Sequence, residues 1–124
     1  MIATASDHPA TLAAAYAAFA REDDATAARL VTACLALRAN DPDARQLRAA
    51  LAMRRGDLAA ALADFVALAR ARPGDATAWA NLAGVLGASG RHAEAIAACD
   101  RALEADPAFS AALRTRAENE RRLG

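Results

Sequence analysis

Few side chains in this sequence have the chemistry of a catalytic or metal-binding site. The two histidines, His8 and His92, are far apart, and the two cysteines, Cys34 and Cys99, do not occur at metal-ligand spacing. Zinc sites need such ligands in closely spaced pairs, so no metal is predicted. We expect His8 at a frayed start and His92 packed in a turn. The cysteines are predicted to be small buried hydrophobic residues, typical of a reducing compartment.

One glycine pattern suggests a nucleotide site but lacks the context for it. Gly84, Gly87 and Gly90 form GxxGxxG, whereas a phosphate-binding loop follows a strand and opens a helix. These glycines lie in or just after a predicted helix, with no strand before them and no lysine after them. The sequence therefore predicts no cofactor and no enzyme.

Helices must position the side chains that this chain uses, because strand signals are nearly absent. Alanine makes up about a third of the residues, which favours helix but buries little area per side chain. Asp41, Asp57 and Asp75 are predicted to cap the helices after them, and Asp106 with Pro107 to start the last one. Seven helices are predicted, at about 9–21, 25–38, 42–55, 58–71, 75–88, 91–105 and 108–122.

The sequence repeats with a period of 34 residues, in frames 8–41, 42–75 and 76–109. In each frame a small residue allows close helix approach, and a second packing residue follows four positions later on the same face. These pairs are Ala27 and Val31, Ala61 and Phe65, and Ala95 and Cys99. Gly56 and Gly90 occupy turns where a positive φ ends a helix. Glu22 stands at that position in the first frame.

The third frame resembles a tetratricopeptide repeat, a helix–turn–helix unit of 34 residues. The matching residues are Trp79, Leu82, Ala83, Leu86, Gly90, Ala95, Cys99, Ala102 and Pro107. The second frame keeps the latter half of the pattern but has Arg45 and Arg48 where Trp and Leu are expected. The resemblance implies an all-α, right-handed solenoid of antiparallel helix pairs. It would form a single domain over 1–124, with three repeats and a capping helix at 110–124.

The resemblance also implies a binding surface, because the first helix of each tetratricopeptide repeat lines a concave groove. The residues expected to contact a partner there are Leu12, Tyr16, Phe19, Gln46, Met53, Arg54, Asn81 and Arg114. Phe19 and Met53 would receive apolar side chains, and Asn81 would bond to a peptide backbone. Arg54 and Arg114 would pair with a carboxylate. For Tyr16, Phe19 and Met53, ordinary packing is the alternative.

Chaperone-adaptor members of this family hold a C-terminal carboxylate with two asparagines and three basic residues. The matching positions here are Leu12, Tyr16, Leu47, Thr77 and Asn81. Since Asn81 alone has the required chemistry, chaperone-tail binding is not expected.

Charge and hydropathy limit the classes of partner. With 15 basic and 15 acidic residues the formal net charge is zero, whereas nucleic-acid binding relies on a basic surface. No apolar run reaches about 18 residues and no signal peptide is apparent, so no membrane partner is expected. The basic residues are all arginine, typical of a GC-rich bacterial genome, and we expect a cytoplasmic location.

The charged last helix allows two interpretations. A repeat array must end in a polar face that covers its core, so a solvating cap is one. The other is an anion-binding patch formed by Arg114, Arg121 and Arg122.

The sequence predicts a non-catalytic protein–protein interaction module that binds a peptide or helical segment of a partner. An accessory or regulatory domain of a larger bacterial enzyme, such as a glycosyl- or sulfotransferase, is an alternative that the resemblance implies. A self-associating scaffold, dimeric through a terminal helix face, is another.

Overall fold

The computed structural model describes residues 7–124, and its helices agree closely with the sequence. They are α1 (His8–Ala20), α2 (Asp24–Leu37), α3 (Pro42–Arg54), α4 (Leu58–Ala71), α5 (Ala76–Ala88), α6 (His92–Ala105) and α7 (Ser110–Leu123). Each begins and ends within two residues of its predicted bounds, and no strand occurs in the described range. The all-α class and the number of helices are confirmed.

Aspartates start three of the helices, as predicted, and Asp23 caps a fourth, α2, through the N–H of Thr26. The carboxylates of Asp41, Asp57 and Asp75 accept hydrogen bonds from backbone N–H groups in the first turns of α3, α4 and α5, at 3.0–3.2 Å. Each bond satisfies a donor that has no partner inside the helix. The caps therefore fix where α3, α4 and α5 begin.

The predicted helix start at Asp106 is wrong. Its carboxylate accepts from the N–H of Ala108 at 3.1 Å, and α7 begins only at Ser110. Pro107 occupies the position of Pro73 in the preceding frame, where the chain reverses between two helices. An Asp-Pro pair thus starts α3 but forms a turn before α7, because the chain must first reverse its direction.

The turns inside the three frames share one backbone conformation. Gly56 and Gly90 have φ angles of 81° and 79°, as predicted for this position. Glu22, at the same position in the first frame, also has a positive φ, of 61°. A side chain makes this conformation unfavourable, so the turn between α1 and α2 stores strain that the other two lack.

The chain divides into two compact units, and the first contains α1–α3 and ends at Gly56. Within it α1 packs on α2 and α2 on α3, and α1 also contacts α3. Its apolar core is small-sided and consists of Ala15, Ala18, Ala27, Val31, Leu47 and Leu51, with Phe19 packed against it.

The second unit, Asp57–Gly124, contains α4–α7. Each helix packs on the next, and α5 also contacts α7. The connections are three or four residues long, so neighbouring helices run antiparallel. Ala61 and Ala95 are fully buried, as is Ala27 in the first unit, so this repeated position is a packing position in all three frames.

Candidate functional site

The first unit carries six of the predicted partner-contacting residues. Tyr16 and Arg54 are exposed. The other four are half-buried: Leu12, Phe19, Gln46 and Met53. The structure brings Phe19 and Arg54 together and gives Tyr16 a hydrogen-bond partner inside the unit.

Arg54 is held by three contacts. Its guanidinium carbon lies 3.7 Å from the centre of the Phe19 ring, and Nη1 lies 2.5 Å from Oδ1 of Asp24. Nη1 also donates to the carbonyl oxygen of Phe19 at 3.3 Å. A partner's carboxylate would have to compete with Asp24, so Arg54 is less available for recognition than the sequence indicates.

Tyr16 links α1 to the first turn of α3. Its hydroxyl donates to the carbonyl oxygen of Asp43 at 3.2 Å, while 41% of the residue remains exposed. Partial burial raises the pKa of Tyr16, and the charges of Asp43 and Asp41 raise it further. The hydroxyl therefore stays protonated at neutral pH and can keep donating this bond.

His8 is buried, so its expected position at a frayed start is wrong. It is 3% exposed, and its Nε2 lies 2.5 Å from Oδ2 of Asp41. Both atoms are shielded from solvent, although neither forms a hydrogen bond of good geometry. Because Asp41 also caps α3, this contact ties the first turn of α1 to the first turn of α3 and keeps the helix start ordered.

The second unit carries the other two predicted residues, Asn81 and Arg114. Beside Arg114, an open cleft of about 760 Å³ lies between α5 and α7. It is lined by Gly84, Gly87, Ala88, Gly90, His92, Arg114, Thr115, Glu118, Asn119, Arg121 and Arg122. Asn81 lies one turn before Gly84 on α5, is half-buried and forms no hydrogen bond with its side chain inside 7–124. We call this space the α5–α7 cleft.

Small residues form the α5 side of the cleft. Gly84, Gly87 and Ala88 present backbone and at most one methyl group, and Gly90 continues this surface past the helix end. A Cβ atom added at Gly84 would meet nothing within 4 Å, so the space in front of α5 is open. Another polypeptide can therefore approach the α5 backbone closely.

Arginines of α7 make the edge of the cleft positive. Arg114 is exposed and forms no ion pair within the described part of the chain. Arg121 and Arg122 both donate to Glu118, and these bonds lower the pKa of Glu118. Glu118 is thus ionised at neutral pH. Three arginines against one glutamate leave two uncompensated positive charges along the cleft.

A buried amide beneath the cleft connects α7 to α6. Asn119 is 3% exposed, and its Nδ2 donates to the carbonyl oxygen of Thr115 at 2.7 Å. Its Oδ1 therefore faces His92, and Nδ1 of that ring donates across 2.7 Å. A Cβ atom at Gly87 would lie 2.8 Å from Oδ1. Glycine at position 87 is what leaves room for this amide.

His92 packs as predicted, but it is the first residue of α6 and not part of a turn, and its partner Asn119 was not predicted. The available signal for Asn119 was its spacing of seven residues from Ala112, which is fully buried on the same face of α7. A lone asparagine among charged residues, on the apolar face of a capping helix, indicates a buried polar contact.

Within 7–124, no group of three or more His, Cys, Asp or Glu side chains is arranged to hold a metal ion. Cys34 and Cys99 are buried and free, and burial raises the pKa of both thiols. They are small packing residues, as predicted, without the thiolate character of reactive cysteines. Among the described helices, none combines the length and the apolar character needed to cross a membrane.

The repeats identify the family of the protein. The sequence profile of the tetratricopeptide repeat family matches residues 47–110, just over half of the chain. Together with the seven helices, which correspond to three helix pairs and a capping helix, this match shows that the chain belongs to the tetratricopeptide repeat family. The comparison with curated proteins finds no match.

Solved structures share the fold at low sequence identity. The TPR domain of Sgt2 from Aspergillus fumigatus is 22% identical with a TM-score of 0.85, over 94% of this chain and 79% of that chain. The first TPR domain of Spaghetti (RPAP3), bound to the HSP90 peptide SRMEEVD, is 17% identical with a TM-score of 0.87, over 96% and 94%. The O-GlcNAc transferase of Thermobaculum terrenum is 24% identical with a TM-score of 0.83, over 96% and 23%. These matches show the predicted tetratricopeptide solenoid fold.

Proposed function

We propose that this chain is a non-catalytic protein-interaction module that binds a peptide or helical segment of a partner, with the α5–α7 cleft as its main site. The observation that carries the proposal is the combination of a floor of small residues with Arg114, an exposed arginine without an ion-pair partner in the described chain. A peptide-bound domain of the same fold, from RPAP3, supports this class of function.

Each part of the cleft has a role in this proposal. The small residues of α5 admit the backbone of the peptide, and Asn81 hydrogen-bonds to it as donor and acceptor. Arg114 pairs with a carboxylate of the partner. The two uncompensated positive charges favour an acidic segment over a basic one.

The first unit contributes proposed contacts of its own. Phe19 and Met53 are proposed to receive apolar side chains, and Leu12, Tyr16 and Gln46 to line the same surface. Arg54 contributes a charge only after releasing Asp24, so we assign it a smaller role than Arg114.

The proposed ligand is not a chaperone tail. Of the five positions that correspond to the carboxylate clamp, Asn81 alone has the required chemistry. The likeness to the RPAP3 domain, at 17% identity, lies in the fold.

A displayed library of random peptides, selected on the whole chain, tests the proposal. We expect acidic peptides to be enriched. Arg114→Glu should weaken the selected peptides by about tenfold or more, since a charged hydrogen bond is lost and repulsion replaces it. Arg72→Glu is the matched control, because Arg72 is exposed in the same unit and lies outside the cleft. Its affinities should change by less than about twofold.

A second variant tests the space of the cleft independently of its charge. Gly84→Phe would fill the cleft, and nothing within 4 Å opposes the new Cβ atom. We expect it to abolish peptide binding while circular dichroism shows unchanged helicity. Peptides that bind both variants as tightly as the parent chain would refute the cleft as the site.

The accessory-domain alternative has one specific observation in its favour. This chain matches 23% of the O-GlcNAc transferase of Thermobaculum terrenum, so the same fold occurs as part of a much larger enzyme chain. Sequencing the native gene on both sides of this segment tests it: a catalytic domain in the same reading frame would favour this alternative.

The proposal includes a cytoplasmic location and excludes nucleic acid and membrane as partners. Self-association through a terminal helix face is distinguished by measuring mass against concentration. A dimer that persists at low concentration, together with no peptide selected, would favour the scaffold alternative.

A further inference from the structure

Two small cavities in the second unit are both lined by the Trp79 side chain. One, of about 290 Å³, is lined by α4, α5 and α6, and the other, of about 310 Å³, by α5 and α6. Trp79, Leu82, Leu86 and Glu94 line both. We call this surface the Trp79 groove; its remaining apolar walls are Leu62, Val66 and Ala69 on α4 and Ala97 and Ala98 on α6. Each cavity is at the lower limit of about 300 Å³ for a ligand pocket, so it suits a single side chain.

The indole is held in place before any partner arrives. Its Nε1 donates to the carbonyl oxygen of Pro73 at 2.9 Å, and the guanidinium carbon of Arg101 lies 4.6 Å from the ring centre. Trp and Arg are the residue types most enriched among energetically dominant interface positions. A ring that is already ordered loses little entropy on binding, so this pair is preorganised for contact.

The rim of the groove is basic although the chain as a whole is neutral. Arg70 forms no ion pair with any residue that the structure describes. Arg91 is paired with Glu94 at 2.7 Å, and Arg101 lies 3.6 Å from Glu104, which is outside the groove. Three arginines and one glutamate line the rim. No ion pair in the described chain offsets the charge of Arg70, and only the exposed pair with Glu104 offsets that of Arg101. A partner with acidic flanks complements this rim.

The groove and the α5–α7 cleft lie on opposite faces of α5. The cleft uses Gly84, Gly87 and Ala88, whereas the groove uses Trp79, Leu82 and Leu86. At 3.6 residues per turn, the centres of these two sets are separated by about half a turn. A ligand in one site therefore leaves the other free.

We propose that the Trp79 groove is a second docking surface, which binds an acidic amphipathic helix from a protein partner. The groove has a helix on each side and a helix as its floor, and such a space accepts a further helix by side-chain interdigitation. Two apolar residues spaced i and i+4, about 6 Å apart, enter the two cavities that Trp79 lines. Acidic residues flanking this stripe pair with Arg70 and Arg101.

Trp79 is the single tryptophan of the chain, so its indole N–H resonance reports on this groove alone. The test uses three synthetic helical peptides of about 18 residues each. The first has a leucine stripe with glutamate flanks, the second the same stripe with arginine flanks, and the third a serine stripe with glutamate flanks. We expect only the first to move the indole resonance, while the amide resonances of Gly84 and Gly87 stay in place.

Two substitutions on α6 establish the position of the peptide. Ala97→Glu places a carboxylate on the groove wall, and Ala105→Glu makes the same charge change outside it; both alanines are exposed. We expect Ala97→Glu to weaken the first peptide by about tenfold or more and Ala105→Glu to leave it within about twofold.

Several results would overturn this proposal. They are an unmoved indole resonance at about 1 mM peptide, equal binding of the arginine-flanked peptide, and equal loss of affinity in the two alanine variants. An indole resonance that moves with protein concentration alone would also overturn it, because a second copy of the chain would then cover the groove. Cleft variants such as Arg114→Glu should leave this binding intact, so the outcome is independent of the cleft proposal.

Discussion

Each of the two units places one histidine in a shielded polar pair, and the two pairs differ in chemistry. In the first unit the ring of His8 meets a carboxylate, which also caps α3. In the second the ring of His92 meets the neutral amide of Asn119. The first pair thus combines a charge with a helix cap, whereas the second depends on space left by Gly87. The same repeat pattern can therefore hold its helices together either through a carboxylate or through a neutral amide that fits a space left by glycine.

Removing the carboxylate of the first pair should have the largest effect. Asp41→Ala is expected to lower the free energy of unfolding by about 2–4 kcal/mol, because it removes a cap and leaves His8 buried without its partner. The matched control is Asp75→Ala, at the same position of the next frame, which caps α5 through the N–H of Thr77. It should cost about 1 kcal/mol. Urea denaturation measures both, and equal losses would show that the His8 contact contributes nothing.

The second-largest effect is expected from filling the space that Gly87 leaves beside the His92–Asn119 pair. Gly87→Ala is expected to cost about 1–3 kcal/mol, because the new Cβ displaces the amide of Asn119 and leaves it buried without its bonds. Gly84→Ala, three residues earlier on the same helix, meets nothing within 4 Å. It should stabilise the chain by about 0.5–1 kcal/mol through helix propensity. If both substitutions stabilise the protein, the requirement for glycine at position 87 is refuted.

The turns at Glu22 and Gly90 are expected to respond to substitution with stability changes of opposite sign. Glu22→Gly is expected to stabilise the chain by about 0.5–1 kcal/mol, since it relieves a side chain held at positive φ. Gly90→Ala, at the same position of the third frame, should destabilise it by about 1 kcal/mol. Thermal unfolding of the two variants measures both changes. Destabilisation by Glu22→Gly would mean that the glutamate makes a contact worth more than the strain.

The smallest effect is expected at Arg45, which replaces the tryptophan of the repeat. Arg45 Nη2 donates to the carbonyl oxygen of Ala39 at 3.4 Å and to Oδ1 of Asn40 at 3.1 Å, and Trp79 Nε1 donates to the carbonyl oxygen of Pro73 at 2.9 Å. The bonds to Ala39 and Pro73 both reach back six residues, so the two side chains share one local task. Arg45→Met keeps the packing of the stem and loses the donor, at a cost of about 0.5 kcal/mol. A loss above about 2 kcal/mol in urea denaturation would show a larger role in the core.

The helices and caps could be predicted because their causes are local. Asp41 and Asp75 act on backbone groups two residues away, and Gly56 and Gly90 act through their own φ angles. The failure at Asp106 is also local in origin. The same Asp-Pro pair suits a helix start and a turn, and the need to reverse the chain decides between them.

The contacts that shape the candidate sites could not be predicted from the sequence, because they join residues far apart in the chain. Arg54 and Asp24 are 30 residues apart, and His92 and Asn119 are 27 apart. Such pairs depend on how far each helix is rotated toward its neighbour, which a repeat pattern constrains only approximately. The pairing that occupies Arg54 was therefore not predictable from the repeat pattern.

The space that Gly87 leaves for the Asn119 side chain also fixes the rotation of α7 about its own axis. Turning α7 by one residue, about 100°, would withdraw the Asn119 amide from the His92 ring. The bond between these two side chains favours the present rotational setting of α7, in which Arg114, Arg121 and Arg122 all line the cleft. The direction in which these three charged side chains point thus depends on the buried amide of Asn119 beneath the cleft. A substitution of Asn119 would redirect the three charges without removing any of them.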